Sequence, residues 1–159
     1  MLEARKNIES LAVYHPGKPI EEVQRELGLK KVIKLASNEN PLGPSPKAIE
    51  AIKKFAGQVN LYPDGSCYRL KEALAKKLNV TENQLFIGNG SNEIIQIMSL
   101  TYLNPGDETI MPIPSFPRYE PLTRLMNGLA HEVPLKDFKM DLPAIAKLIN
   151  DRTKMIYIC

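Results

Sequence analysis

Apolar residues recur along this chain with two periods, and the segments that carry them alternate. Leu70, Leu74 and Leu78 stand at i, i+4 and i+8, one apolar face of a helix over Tyr68–Leu78. The same reasoning predicts helices over Pro46–Phe55, from Ser91 onward through Ile94, Ile95, Ile97, Met98, Leu100 and Leu103, around 118–126, and over 142–149. Between them lie short apolar runs bounded by turn residues, which read as strands at 85–87, 109–113, 130–135 and 154–159. "TENQ" supplies an N-cap threonine, and "NPGDE" a tight turn that places Asp107 and Glu108 just ahead of a strand. Strands alternating with helices predict an α/β domain, layered around a mostly parallel sheet.

The first 45 residues follow a different pattern. A short helix over 2–10, a Pro16-Gly17 break and a helix over Ile20–Leu27 stopped by Gly28 precede a short strand at 32–35. "ASNENPLGPSP" then puts Pro41, Gly43, Pro44 and Pro46 close together, which excludes regular structure there. This divides the chain into an arm or edge of a second lobe, 1–45, and the regular α/β region, 46–159. The closing "KMIYIC" has the composition of a strand buried on both faces of a sheet, and the expectation is a chain cut where the next loop would begin.

Composition narrows the function classes. At 159 residues, 43% hydrophobic and 25% charged, the chain is long enough to bury a core and has ordinary globular composition. A formal charge of +3 is too mild for a nucleic-acid binder, and the lysines are dispersed, as in Lys53-Lys54 and Lys76-Lys77, without interleaved aromatics. No apolar run approaches 18 residues, and there is no signal-peptide pattern, so no membrane role is expected. Cys67 and Cys159 match no metal or redox spacing, and a reduced, cytoplasmic setting is expected. His15 and His131 are solitary and read as packed or surface residues, not ligands. No metal site is expected.

The chemistry-bearing stretch is "LFIGNGSNEIIQI", 85–97. Small residues at Gly88-Asn89-Gly90 let the backbone approach a ligand, and the helix start beyond them leaves N–H groups for an anion, usually a phosphate. Two familiar phosphate sites are excluded on residues. A dinucleotide fingerprint needs a third glycine where Glu93 stands, and a P-loop needs a Gly-Lys-Ser/Thr that is absent. A phosphate-bearing cofactor other than NAD or ATP stays open, as does a glycine turn that merely joins strand to helix.

Five motifs in order carry a resemblance. "LASNENPLGPSP", "YPDGSCYRLKEALA", "IGNGSNEII", "NPGDETIMPIPSFPRY" and "MIYIC" resemble the front part of fold-type-I pyridoxal-phosphate aminotransferases, and "VYHPGKPIEEVQRELG" resembles the arm of the histidinol-phosphate aminotransferases among them. The resemblance spans essentially the whole chain. It implies a three-layer large domain, here incomplete, and pyridoxal 5'-phosphate as cofactor. The resemblance puts the backbone N–H groups of Ser91 and Asn92 on the cofactor phosphate, with Gly90 allowing the approach, and Phe116 on the pyridine ring, with Tyr119 the nearest rival. It further implies that Tyr62 reaches the cofactor phosphate of a neighbouring subunit, hence a homodimer. Tyr14, Asn38 and Glu39, with Asn40 beside them, fall where the family approaches substrate, although a polar run before proline is also ordinary turn chemistry.

Transamination needs a Schiff-base lysine that also transfers the proton, an acid on the pyridine nitrogen, and an arginine for the substrate. None of the 15 lysines stands in the small, hydroxyl-rich context that the family gives the first of these. No catalytic residue is therefore expected within this chain. The implied activity is amino transfer between histidinol phosphate (with imidazole-acetol phosphate as its keto partner) and 2-oxoglutarate (with glutamate), in histidine biosynthesis. The alternatives are another fold-type-I enzyme, such as a threonine-phosphate decarboxylase or an aromatic aminotransferase, and a non-catalytic phosphate-ligand binding fragment.

Overall fold

The computed structural model describes residues 3–9, 11, 17–35 and 37–159. The chain forms two compact units, one of residues 1–14 with 69–159 and one of residues 15–68.

The larger unit is built on three parallel strands in the order β2-β1-β3. β1 is Glu108–Ile113, β2 Leu129–Pro134 and β3 Thr153–Ile156. β1 runs in unbroken register with β2, from Glu108 opposite Leu129 to Ile113 opposite Pro134, whereas its register with β3 shifts between Glu108 and Thr109. Five helices belong to this unit or enter it: α1 (Lys6–Glu9), α4 (Tyr68–Leu78), α5 (Gly90–Tyr102), α6 (Tyr119–Leu125) and α7 (Leu142–Leu148).

Side chains of β1 alternate between two covered faces, as the period of two requires. Ile110 packs with Val133 and Ile145 of α7, with Met140 and Ala144 against them. Thr109, one residue earlier, faces α6, where its hydroxyl lies 2.8 Å from that of Thr123. The result is three layers, with α7 on one face and α6, backed by α5, on the other. Five of the six β1 residues are buried, which makes it the central strand of the core.

Local chemistry explains the boundaries. Asp141 caps α7 by accepting from the Ala144 N–H at 2.9 Å. Thr81 stands at the N-cap, as "TENQ" predicts, and its N–H donates to Gln84 Oε1 at 2.9 Å, a capping-box contact around a short 3-10 turn over Glu82–Gln84. Asn7 Nδ2 donates at 3.0 Å to the carbonyls of both Arg124 and Leu125, so α1 closes the C-terminal end of α6.

Three expectations are corrected. Residues 85–87 form no strand, and neither do 32–35, because no neighbouring strand among the described residues offers them a ladder. β3 is not buried on both faces: its residues alternate between half-buried and exposed, and Ile158 beyond it is exposed, because β3 pairs on one side only. Glu108 does not precede the strand but opens it.

The smaller unit carries α2 (Ile20–Leu27) and α3 (Pro46–Phe55), the latter followed by a 3-10 turn over Ala56–Gln58. Gly28 ends α2 in the left-handed conformation, with φ 65°. Asp64 orders the turn into α4, accepting from the Ser66 N–H at 2.9 Å and the Tyr68 N–H at 3.0 Å.

Candidate functional site

The start of α5 is shaped by one tight turn. Asn89, at φ −78° and ψ 69°, is the centre of an inverse γ-turn in which the Gly90 N–H donates to the Gly88 carbonyl at 2.9 Å. Gly90 follows at φ 76°, a left-handed conformation that favours glycine. The N–H groups of Ser91 and Asn92, both exposed, have no protein acceptor among the described residues. Two undonated amides at the positive end of a 13-residue helix are chemistry for an anion.

Glu93, which displaced the dinucleotide reading, has a definite task here. Its carboxylate accepts from the backbone N–H of Asn89 and, at 3.3 Å, from the Asn89 side chain. A Cβ at Gly88 would fall 2.9 Å from that carboxylate oxygen and 2.8 Å from Ile94 Cδ1, so glycine keeps this reach-back open.

The second part of the site follows β1. The strand ends in a cis Ile113–Pro114 bond, and the loop then presents Ser115 and Phe116 before α6 begins. An open cleft of about 340 Å³ at this C-terminal end of the strand is lined by Ser115, Phe116, Tyr119 and Glu132 among others, and reaches Phe116 but not Gly90–Asn92. Phe116 meets Tyr119 edge to face, ring centres 5.6 Å apart. Tyr119 in turn stacks on Tyr157 at 4.0 Å, which pins the end of β3 to the start of α6. Burial, with Cys159 beside it, pushes the Tyr119 hydroxyl up to about 12, so it remains a protonated donor at neutral pH. The Ser115 hydroxyl is buried and has no hydrogen-bond partner among the described residues.

One side-chain bond joins the two parts. Arg118 Nε donates to Asn92 Oδ1 at 2.8 Å, across 26 positions of sequence. Sequence reasoning missed Arg118; the only signal was its place two residues beyond Phe116 in a motif already singled out.

The remaining site candidates lie elsewhere. Tyr62, in the smaller unit, is 101% exposed and borders a second open cleft with Phe55, Leu61 and Asp64. Asn38 is exposed, and Glu39 accepts from Lys34 Nζ at 2.7 Å. Asn40 is spent on its own turn, accepting from the Leu42 N–H at 3.1 Å. Tyr14 and His15 lie outside the described residues. His131 is a structural partner: its Nε2 lies 2.8 Å from the buried Glu108, at the opposite end of the strands from the cleft.

Sequence and structure comparisons give the family of the chain. The family model described as "Aminotransferase class I and II" matches residues 30–159. The histidinol-phosphate aminotransferase of Caldicellulosiruptor saccharolyticus is 55% identical over 98% of this chain and 43% of its own length. The histidinol-phosphate aminotransferase of Moorella thermoacetica is 53% identical over 99% of this chain and 41% of its own. This chain thus spans less than half the length of those relatives. A crystal structure of histidinol-phosphate aminotransferase from Sinorhizobium meliloti, in complex with pyridoxal-5'-phosphate, superposes with a TM-score of 0.85 at 23% identity, covering 99% of this chain and 42% of that one. With the family model covering most of its residues and the three-layer fold in agreement, the chain belongs to the class I and II aminotransferases.

Proposed function

We propose that this chain is the N-terminal part of a pyridoxal-phosphate-dependent aminotransferase, most specifically a histidinol-phosphate:2-oxoglutarate aminotransferase of histidine biosynthesis. The observation that carries the reading is the identity of 53–55% to two histidinol-phosphate aminotransferases along nearly all of this chain.

The residues present fit the cofactor. Its phosphate is a dianion, and the start of α5 offers the Ser91 and Asn92 N–H groups, a left-handed Gly90 and the positive end of a helix. Its ring is flat and apolar-faced, and Phe116, partly exposed and held from the side by Tyr119, offers a face on which to lie. Ser115, whose buried hydroxyl has no hydrogen-bond partner among the described residues, lines the same cleft as Phe116. When bound, pyridoxal phosphate supplies the electron sink for amino-group transfer. This chain's part is to bind and orient: Gly90, Ser91 and Asn92 anchor the phosphate end, and Phe116 fixes the ring plane. The lysine, the acid and the substrate arginine of the reaction belong, on this reading, to a further part of the protein.

Tyr62 is assigned to the cofactor phosphate of a neighbouring subunit, which makes the working protein a homodimer. Its full exposure within its own unit supports a role toward another molecule. Tyr14, Asn38 and Glu39, within the 1–45 arm, are assigned to the substrate side. Among the described residues no helix is long and apolar enough to cross a membrane, and a cytoplasmic setting is part of the proposal.

The test is an amino-transfer assay of the full-length protein with 2-oxoglutarate as acceptor. Histidinol phosphate is the expected donor, preferred over phenylalanine and tyrosine. Equal or better use of the aromatic amino acids, or carbon dioxide release from threonine phosphate, would replace the substrate assignment within the same family. Light scattering of the full-length protein should give twice the monomer mass.

A further inference from the structure

We infer that Arg118 is a positioning residue that locks the Asn92 side chain, and so ties the phosphate cup to the loop that carries Phe116. The inference rests on the reading of Gly90–Asn92 as the cofactor-phosphate site.

Arg118 is half-buried at the N-cap of α6, two residues beyond Phe116, and its Nε bond to Asn92 Oδ1 is 2.8 Å long. Among the described residues it has no carboxylate within 4.0 Å: Glu120 pairs with Arg124, and the Glu93 carboxylate is engaged by Asn89. A guanidinium beside the N-terminus of α5 opposes the helix dipole, and no ion pair offsets that cost. An anion seated on the Ser91 and Asn92 amides relieves it. The bond also decides which way the Asn92 amide lies. With its oxygen turned to Arg118, it presents N–H donors to an anion and keeps its acceptor away. A planar, always-charged fork suits that double duty better than a single ammonium does. Without Arg118 the amide rotates freely, and the segments of Phe116 and Asn92 lose a side-chain bond between them.

The experiment is a fluorescence titration of the full-length apoprotein with pyridoxal phosphate and, separately, with pyridoxal, which lacks the phosphate. The variants are Arg118→Met, Arg118→Lys, Asn92→Ala and the Arg118→Met/Asn92→Ala pair. Arg118→Met is expected to raise the pyridoxal-phosphate Kd about tenfold, the scale of one charged hydrogen bond, while leaving pyridoxal binding within twofold. Asn92→Ala should give a similar loss, the double variant no more than the worse single one, and Arg118→Lys a partial rescue. Arg118→Met binding pyridoxal phosphate as the parent does would overturn the inference, and so would losses that multiply in the double variant. Gly90→Val separates the two readings. If it weakens pyridoxal phosphate while Arg118→Met does not, the cup stands and only the role of Arg118 falls; if neither variant matters, the cup reading falls and this inference with it. Circular dichroism monitors folding, and should Arg118→Met misfold, Arg118→Lys and Asn92→Ala decide by the same ratio of the two Kd values.

Discussion

The hydroxyls of Thr109 and Thr123 meet 2.8 Å apart, and both residues are completely buried. Thr123 donates its own proton to the Tyr119 carbonyl at 3.0 Å, so Thr109 is the donor between the two threonines. This short chain of polar groups lies in the layer between the central strand and α6, where an unmet hydroxyl has no water to turn to.

Removing one member should therefore cost more than removing both. Thr123→Val keeps the shape but strands the Thr109 proton, an expected loss of about 1–3 kcal/mol in stability. Thr109→Val/Thr123→Val should recover most of it. Urea unfolding of both variants in the full-length protein checks this; a double variant weaker than Thr123→Val by a further full step would mean that the pair matters for packing, not for hydrogen bonding.

Acid should loosen the other end of the sheet. The Glu108 carboxylate, 1% exposed, accepts from Asn150 Nδ2 at 2.8 Å and from Arg152 Nε at 2.6 Å, and lies against His131 Nε2. The Asn150 bond, with Arg152 and His131 behind it, holds its pKa down to about 2 from 4.5 against the opposing pull of burial. A pKa lower in the folded state than in the unfolded state stabilises the fold above 4.5, and that contribution is lost as pH falls from 4.5 toward 2. Melting temperature against pH should drop more steeply across that window in the parent than in Glu108→Gln, with the Gln variant already less stable at pH 7. Parallel curves would show that the carboxylate charge is not what the three donors hold.

On the proposed reading of Gly90–Asn92 as a phosphate cup, backbone amides make the contact, and the side chains should matter unequally. Ser91→Ala is expected to weaken pyridoxal-phosphate binding by about 1–2 kcal/mol at most, the scale of one hydrogen bond to a charged group. Gly90→Val should cost clearly more. A Cβ there meets no protein atom within 4 Å, so the penalty comes from the φ of 76°, which a β-branched residue resists, and not from crowding within the chain. Dissociation constants of the folded variants measure both effects, and a Gly90→Val protein that binds as tightly as the parent would reduce the turn to a connector.

The 159-residue chain expressed alone should bind no cofactor covalently and should self-associate. No lysine here has the expected Schiff-base setting, so borohydride reduction with pyridoxal phosphate should leave no single lysine fully modified by mass spectrometry. Phe86, Ile94, Ile97, Met98 and Tyr102 line an open apolar groove of about 350 Å³ along α5, and apolar surface of that kind drives association. Size-exclusion chromatography should show aggregates or oligomers; a monodisperse monomer with one sharp melting transition would refute this.

Much of the fold was legible along the sequence because its causes are local. The i, i+4, i+8 leucines of α4, the capping pattern at Thr81, Pro46 at the head of α3, and the apolar runs of β1 and β2 each set structure among residues a few positions apart, and those elements appear within a residue or two of their predicted ends. The glycine turn and helix start at Gly90–Asn92 were legible for the same reason, since a left-handed glycine and the free amides of a first turn are set by consecutive residues. What depends on a distant neighbour was not. Residues 85–87 have a strand's composition, yet a strand exists only when a second one supplies its hydrogen bonds. Glu108 looked like turn punctuation until β2 and the 150–152 loop brought His131, Asn150 and Arg152 around it. Arg118 figured only as the start of a helix, and only the packing of α6 beside α5 gave it Asn92 as a partner. Period and turn chemistry are properties of consecutive backbone, whereas side-chain partners 20 or more positions apart, such as Glu108 with His131 and Asn92 with Arg118, are chosen by which layers the folded chain stacks together.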